Sequence, residues 1–254
     1  EWYNPTNTLG SGVWLEFDSN WPFSDSGGQN MTLPQYYSTI QFLPEPLEGA
    51  GYGMIGRLSD GIHLCIWNHD ATPPWSCKLA TTAFNDQAII VDNGQAWPDN
   101  LADYYYETIQ FAPVYTIEGD FQLIGRDNTD GGRLQVYTWD AGSQTFLELK
   151  VSGPTPFDSR WNQQQYGTTI KPARFVANDP AYEVAGRGPN GVEWWAIWES
   201  GCGGNPAPCW AKYWGGGPEI PYTDNAGYTA PQYYETIQYA DLDGDGLDEI
   251  LGRD

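Results

Sequence analysis

The residues best placed to do chemistry are the carboxylates of Asp241, Asp243, Asp245 and Glu249, at positions 1, 3, 5 and 9 of the run DLDGDGLDE. Carboxylates at this alternating spacing can converge on one hard cation. Ca2+ takes about six to eight oxygen ligands at roughly 2.3–2.6 Å, and the main-chain carbonyl of Leu247 at position 7 would add one. Gly246 supplies a sharp turn that a residue with a Cβ resists. A solvated acidic turn is the plain alternative. The position of the loop between two apolar runs, TIQYA and ILGR, favours the metal.

A second set could recognise a ligand. Aspartates recur in turns at Asp25, Asp92, Asp158 and Asp224, arginines at Arg57, Arg126, Arg187 and Arg253, and Trp97, Trp161 and Tyr228 follow three of the aspartates. A flat ring beside a carboxylate and a guanidinium suits a sugar: the ring covers the C–H face while the charged groups exchange hydrogen bonds with hydroxyls. The same residues could equally pair within each repeated unit and fasten its loop, with the aromatics as packing. Both readings are open at this point. Catalysis has thinner support. His63 and His69 lack a Ser or Cys nucleophile nearby, and no spacing singles out a carboxylate pair of the kind glycoside hydrolysis needs. The balance leans against an enzyme.

The elements that must position these residues repeat. YYSTIQ at 36–41, YYETIQ at 105–110, YGTTIK at 166–171 and YYETIQ at 233–238 form one series, with Thr39, Thr108, Thr169 and Thr236 in step. IGR, IGR, AGR and LGR, ending on the four arginines above, form a second. Glycine-led apolar runs ending on an aromatic form a third: Gly12 to Phe17, Gly61 to Trp67, Gly132 to Trp139 and Gly191 to Trp198. These series share a period of about 65 residues, and such a period marks an array of like units. Short aromatic and β-branched runs broken by 30 Gly and 19 Pro read as strands and tight turns. The tyrosine pairs are expected along each first strand, one ring packed and the other facing a channel. Trp67, Trp139 and Trp198 are expected in the core.

TIQYADLDGDGLDEILGRD resembles the FG-GAP or VCBS class of repeat, found in integrin α-chain propellers and in secreted propeller lectins of fungi and bacteria. The resemblance implies one four-stranded blade per repeat, with calcium in the loop between the first two strands. Only residues 233–254 carry that loop intact. PEPLEGAGYG, PVYTIEGD and VANDPAYE stand in its place elsewhere, so the implied calcium is confined to one blade.

The chain ends complement each other: Gly12–Phe17 reads as a third strand and Trp21–Phe23 as the start of a fourth, whereas the C-terminal stretch supplies only strands one and two. The expected fold is therefore all-β, a four-bladed β-propeller of four-stranded antiparallel blades. Residues 1–254 form one domain of four circularly permuted repeats, with the ring closed by N- and C-terminal strands sharing one blade. In that topology the arginines and repeated aspartates share one face and the calcium loop lies on the other, which gives calcium a supporting role.

Composition limits the partners. A net charge of −22 with only 11 Lys and Arg repels phosphate backbones, and no apolar run reaches membrane-spanning length. Cys65 with Cys77, and Cys202 with Cys209, fall as two local pairs that could each close a hairpin. Free thiols are the alternative, and CxxC spacing is absent. Two disulfides imply an oxidising compartment, and the absence of a leader ahead of Glu1 fits a mature terminus left by cleavage. Taken together, a secreted, calcium-stabilised module binding glycans or glycoproteins is expected. A protein-binding adhesion module and a glycan-active hydrolase or lyase are the alternatives.

Overall fold

The computed structural model describes residues 2–3, 13–14, 23, 34–43, 53–68, 71, 74–86, 91–92, 95–96, 105–115, 122–126, 132–154, 156–157, 161, 163–177, 179, 181–199, 202, 207–212 and 222–253. The fold is all-β. Three four-stranded antiparallel sheets are present among the described residues. The first unit contributes β3 (Gln41–Phe42), β4 (Gly53–Leu58), β5 (Gly61–Trp67) and β6 (Trp75–Thr81). The second contributes β9 (Gln110–Ala112), β10 (Gln122–Arg126), β11 (Leu134–Asp140) and β12 (Thr145–Glu148). The third contributes β13 (Lys171–Ala173), β14 (Glu183–Gly188), β15 (Gly191–Trp198) and β16 (Cys209–Lys212). A fourth unit has β17 (Gln238–Ala240) paired with β18 (Glu249–Leu251). Two further two-stranded sheets pair β1 (Trp2–Tyr3) with β2 (Val13–Trp14), and β7 (Val91–Asp92) with β8 (Gln95–Ala96). No closed ring is detected among the described residues.

Each unit is tied internally in the same way. The threonine hydroxyl donates to the tyrosine carbonyl three residues earlier and accepts the main-chain N–H of the arginine on the second strand. Thr39 does this with Tyr36 and Arg57, Thr108 with Tyr105 and Arg126, Thr169 with Tyr166 and Arg187, and Thr236 with Tyr233 and Arg253, at 2.6–2.9 Å. One hydroxyl thus closes a turn and locks the second strand to it.

That turn corrects one expectation. The tyrosine pairs do not lie along a strand: Pro34–Tyr37 and Pro231–Tyr234 are single helical turns, as is Gln164–Gly167, and the strand begins only at Gln41, Lys171 or Gln238. The ring of Pro231 presets a helical φ at the first position, where its missing N–H costs nothing. The threonine hydroxyl then takes up a carbonyl at the far end. Phe23 sits in a turn at φ 60°, whereas Trp21 and Pro22, expected with it at the start of a fourth strand, lie outside the described residues.

The core lies between successive sheets. Ile55, Leu64 and Phe84 meet Ile109, Leu123 and Trp139 between the first two units. Ile124 and Val136 meet Phe157, Trp161 and Ile170 between the next two, and Ala185 and Val192 meet Tyr222, Tyr234 and Ile237 beyond. Trp139 is buried, packed edge-on against Phe146 with Lys78 of the preceding unit over its face. Trp67 and Trp198 were expected to match it, but they are 37% and 47% exposed. Both end their strands, where the chain leaves the sheet; Trp67 packs in a T-shaped contact with Trp75.

The Ile/Ala/Leu-Gly-Arg series has a packing cause. Phe23, Phe84 and Tyr222 lie against Gly56, Gly125 and Gly252, and Phe157 with Trp161 against Gly186. A Cβ on any of these glycines would come within 2.4–2.8 Å of a ring atom. In each case the aromatic belongs to the segment ahead of the unit it touches, so each connection is pinned to the sheet that follows.

Both expected disulfides are formed. Cys65 and Cys77 face each other across β5 and β6, and Cys202 joins Cys209. No helix among the described residues is long and apolar enough to cross a membrane.

Candidate functional site

The acidic loop folds around its own carboxylates. Asp241 accepts N–H groups from Gly244 (2.7 Å) and Gly246 (2.9 Å), Asp243 accepts from Asp245, and Asp245 from Leu247. Glu249 reaches back across the loop to accept the Leu242 N–H at 2.7 Å. Gly244 and Gly246 take φ values of 81° and 88°, in the left-handed region that glycine occupies without strain. Oxygens of Asp241, Asp243 and Glu249 lie within 4.8 Å of one another. Asp245 stands outside this trio.

Asp248, between the expected ligands, faces the other way. Its carboxylate accepts the Arg174 N–H and its own N–H donates to the Arg174 carbonyl, both at 2.7 Å. The loop is thereby stapled to the third unit. Sequence reading missed this role because nothing in the spacing separates Asp248 from its acidic neighbours.

The arginines are buried. Arg57, Arg126 and Arg187 are 0% exposed. Arg57 donates Nε to the Phe84 carbonyl and Nη2 to Asp86, with its guanidinium between the Tyr36 and Tyr106 rings. Arg187 donates Nε to the Tyr222 carbonyl (2.8 Å) and Nη2 to Asp224, and stacks on Tyr166. Arg126 uses the carbonyls of Gly132 (2.6 Å) and Trp161 (2.9 Å). These cations hold the connection that follows their own sheet, and they have no surface from which to touch a ligand. Arg253 alone of the series is exposed.

Two of the aspartate sites come into view. Asp224 accepts from Arg187 and, at 2.7 Å, from the Tyr166 hydroxyl. Burial, and then the hydrogen bond to Asp224, push the Tyr166 hydroxyl above its ordinary pKa. The matching residue in the first unit is Asp86, which accepts from Arg57 and, at 3.0 Å, from the Tyr36 hydroxyl. Asp92, chosen from spacing, lies in β7, and its side chain is outside the description. The signal that finds Asp86 is an aromatic two residues ahead: Phe84 before Asp86, Tyr222 before Asp224, and in the sequence Phe23 before Asp25. Side chains of Asp86 and Asp224 keep 29% and 31% exposure. Trp161 and Tyr228, expected as sugar platforms, are buried among Phe157, Tyr166 and Gly186, and among Tyr222 and Tyr233. Asp25, Trp97 and Asp158 lie outside the described residues.

No protein-family model matches the chain, and no curated protein matches it significantly.

Proposed function

We propose that the chain is a secreted, calcium-stabilised carbohydrate-binding module whose four units close into a β-propeller. Calcium is assigned to Asp241, Asp243 and Glu249, with Asp245 and the Leu247 carbonyl completing a set made only of hard oxygen donors. Bound there, the ion would offset the mutual repulsion of three clustered carboxylates and hold the loop against the third unit through Asp248.

The sugar is assigned to the aspartate corners. One observation carries this reading: Asp86 and Asp224 are each fixed by a buried arginine and a tyrosine hydroxyl while keeping an open edge. A carboxylate already held in place accepts sugar hydroxyls without first being ordered. The corner in the first unit has one further support: Tyr37, next to Tyr36 in the chain, presents an exposed ring. The role of Arg57 and Arg187 is to orient Asp86 and Asp224. The disulfides fit an oxidising, extracellular setting.

A glycan array probed with wild-type protein, Asp86→Ala and Asp224→Ala tests the assignment. Wild-type protein is expected to retain a defined set of neutral glycans, and the Asp86 variant to lose signal at least tenfold. Absence of any glycan signal from folded wild-type protein contradicts the reading.

A further inference from the structure

Glu183 opens β14, as Gln122 opens β10 and Glu249 opens β18. All three make one latch: a side-chain oxygen accepts a main-chain N–H from the start of the preceding loop. The donors are Phe175 (2.8 Å), Tyr115 (2.9 Å) and Leu242 (2.7 Å). The surroundings differ. Glu249 is half-buried at the rim of the acidic loop, whereas Gln122 and Glu183 are each 1% exposed. Gln122 meets burial as a neutral amide. Glu183 has a carboxyl group there, and its second oxygen, Oε1, is buried with no hydrogen-bond partner among the described residues.

An ionised carboxylate in such a place keeps a desolvated charge, and a group so placed neutralises instead. The charged groups around it offer no relief. Asp179, on its own loop, adds a like charge. On β13 and just beyond, Lys171 interacts with Glu107, and Arg174 carries its guanidinium to the acidic loop, with Nη1 4.0 Å from where a Cβ on Gly246 would stand. On β15, Glu193 pairs with Lys212 of β16.

We propose that Glu183 takes up a proton more readily in the folded protein than in the unfolded chain, the neutral acid doing in the third unit what an amide does in the second, so that the fold gains stability on acidification. Burial, joined by the charge of Asp179, pushes the carboxyl above its ordinary range, and the N–H groups of Phe175, Glu183 and Val176 offset this only in part. The folded form therefore binds the proton more tightly than the unfolded chain does. Stability contributed by the proton is complete below the ordinary carboxyl pKa and is lost as pH rises through the raised folded value.

The test is thermal melting of the whole chain in EDTA from pH 4.5 to 8, comparing wild type with Glu183→Gln. The variant is expected to melt about 2–4 °C higher at pH 8, with the gap closing towards pH 4.5. The converse change, Gln122→Glu, is expected to add a new loss of stability as pH rises. Equal melting at every pH, or a variant less stable at pH 8, overturns the proposal. So does a calcium response that survives in Asp243→Ala and disappears when Glu183→Gln is added, because the loop would then hold a cation in place of the proton.

Discussion

A carboxylate can serve a fold in three ways, and this chain uses each within a few strands. Asp224 and Asp86 neutralise buried guanidiniums, Asp248 clamps a neighbouring backbone, and Asp241, Asp243 and Glu249 converge on one point. Convergence of like charges is unfavourable unless a cation is shared. Calcium at one hundred times its dissociation constant would contribute about 2.7 kcal/mol to folding, which is roughly 5–10 °C of melting temperature for a chain of this size. Wild-type protein is expected to melt at least that much lower in EDTA than in calcium, and Asp243→Ala to melt equally in both. An unchanged wild-type melt on chelation would refute the metal. The clustering of these carboxylates was legible in the sequence because they are neighbours in the chain. Asp86 was not, because its partners Arg57 and Tyr36 stand 29 and 50 residues away and only the folded sheet brings them together.

At the scale of the element, the recurring motifs were visible long before their causes. Thr39 and its equivalents could be counted in the sequence, but that one hydroxyl joins a helical turn to a second strand follows only from the fold. The tyrosine pairs misled because two adjacent aromatics read as strand. The decisive contact, threonine hydroxyl to tyrosine carbonyl, is not a propensity. Glycine in the Gly-Arg pair reads as a turn residue, yet at Gly186 the cause is the approach of the Trp161 and Phe157 rings, 2.8 and 2.9 Å from where a Cβ would stand. Gly186→Ala is therefore expected to cost about 1–3 kcal/mol by overpacking. Gly142→Ala, in the exposed turn after β11, meets nothing closer than 3.5 Å and serves as the control. Melting curves of the two variants check this. Equal melting would mean that the rings move aside freely.

For the whole molecule, each described sheet reaches forward to the next. Gln41 and Gln110 donate to the carbonyls of Ile109 and Ile170, and Arg57 and Arg187 hold the connections through Phe84, Asp86, Tyr222 and Asp224. The all-β class and the antiparallel sheets follow from strand and turn patterning. Closure rests on long-range pairing that patterning does not carry. Two residues of the fourth unit are left facing solvent, Gln238 and Arg253, although their equivalents Gln110 and Arg187 make forward contacts. On the other side Phe23 already packs on Gly56, with a φ matching Phe84 and Phe157. If the ring closes as proposed, Arg253 meets Asp25 just as Arg57 meets Asp86. A double-mutant cycle on Asp25→Ala and Arg253→Ala, read by denaturant unfolding, measures that contact. The closed ring predicts a coupling energy above about 1 kcal/mol, and strictly additive effects of the two substitutions would contradict it.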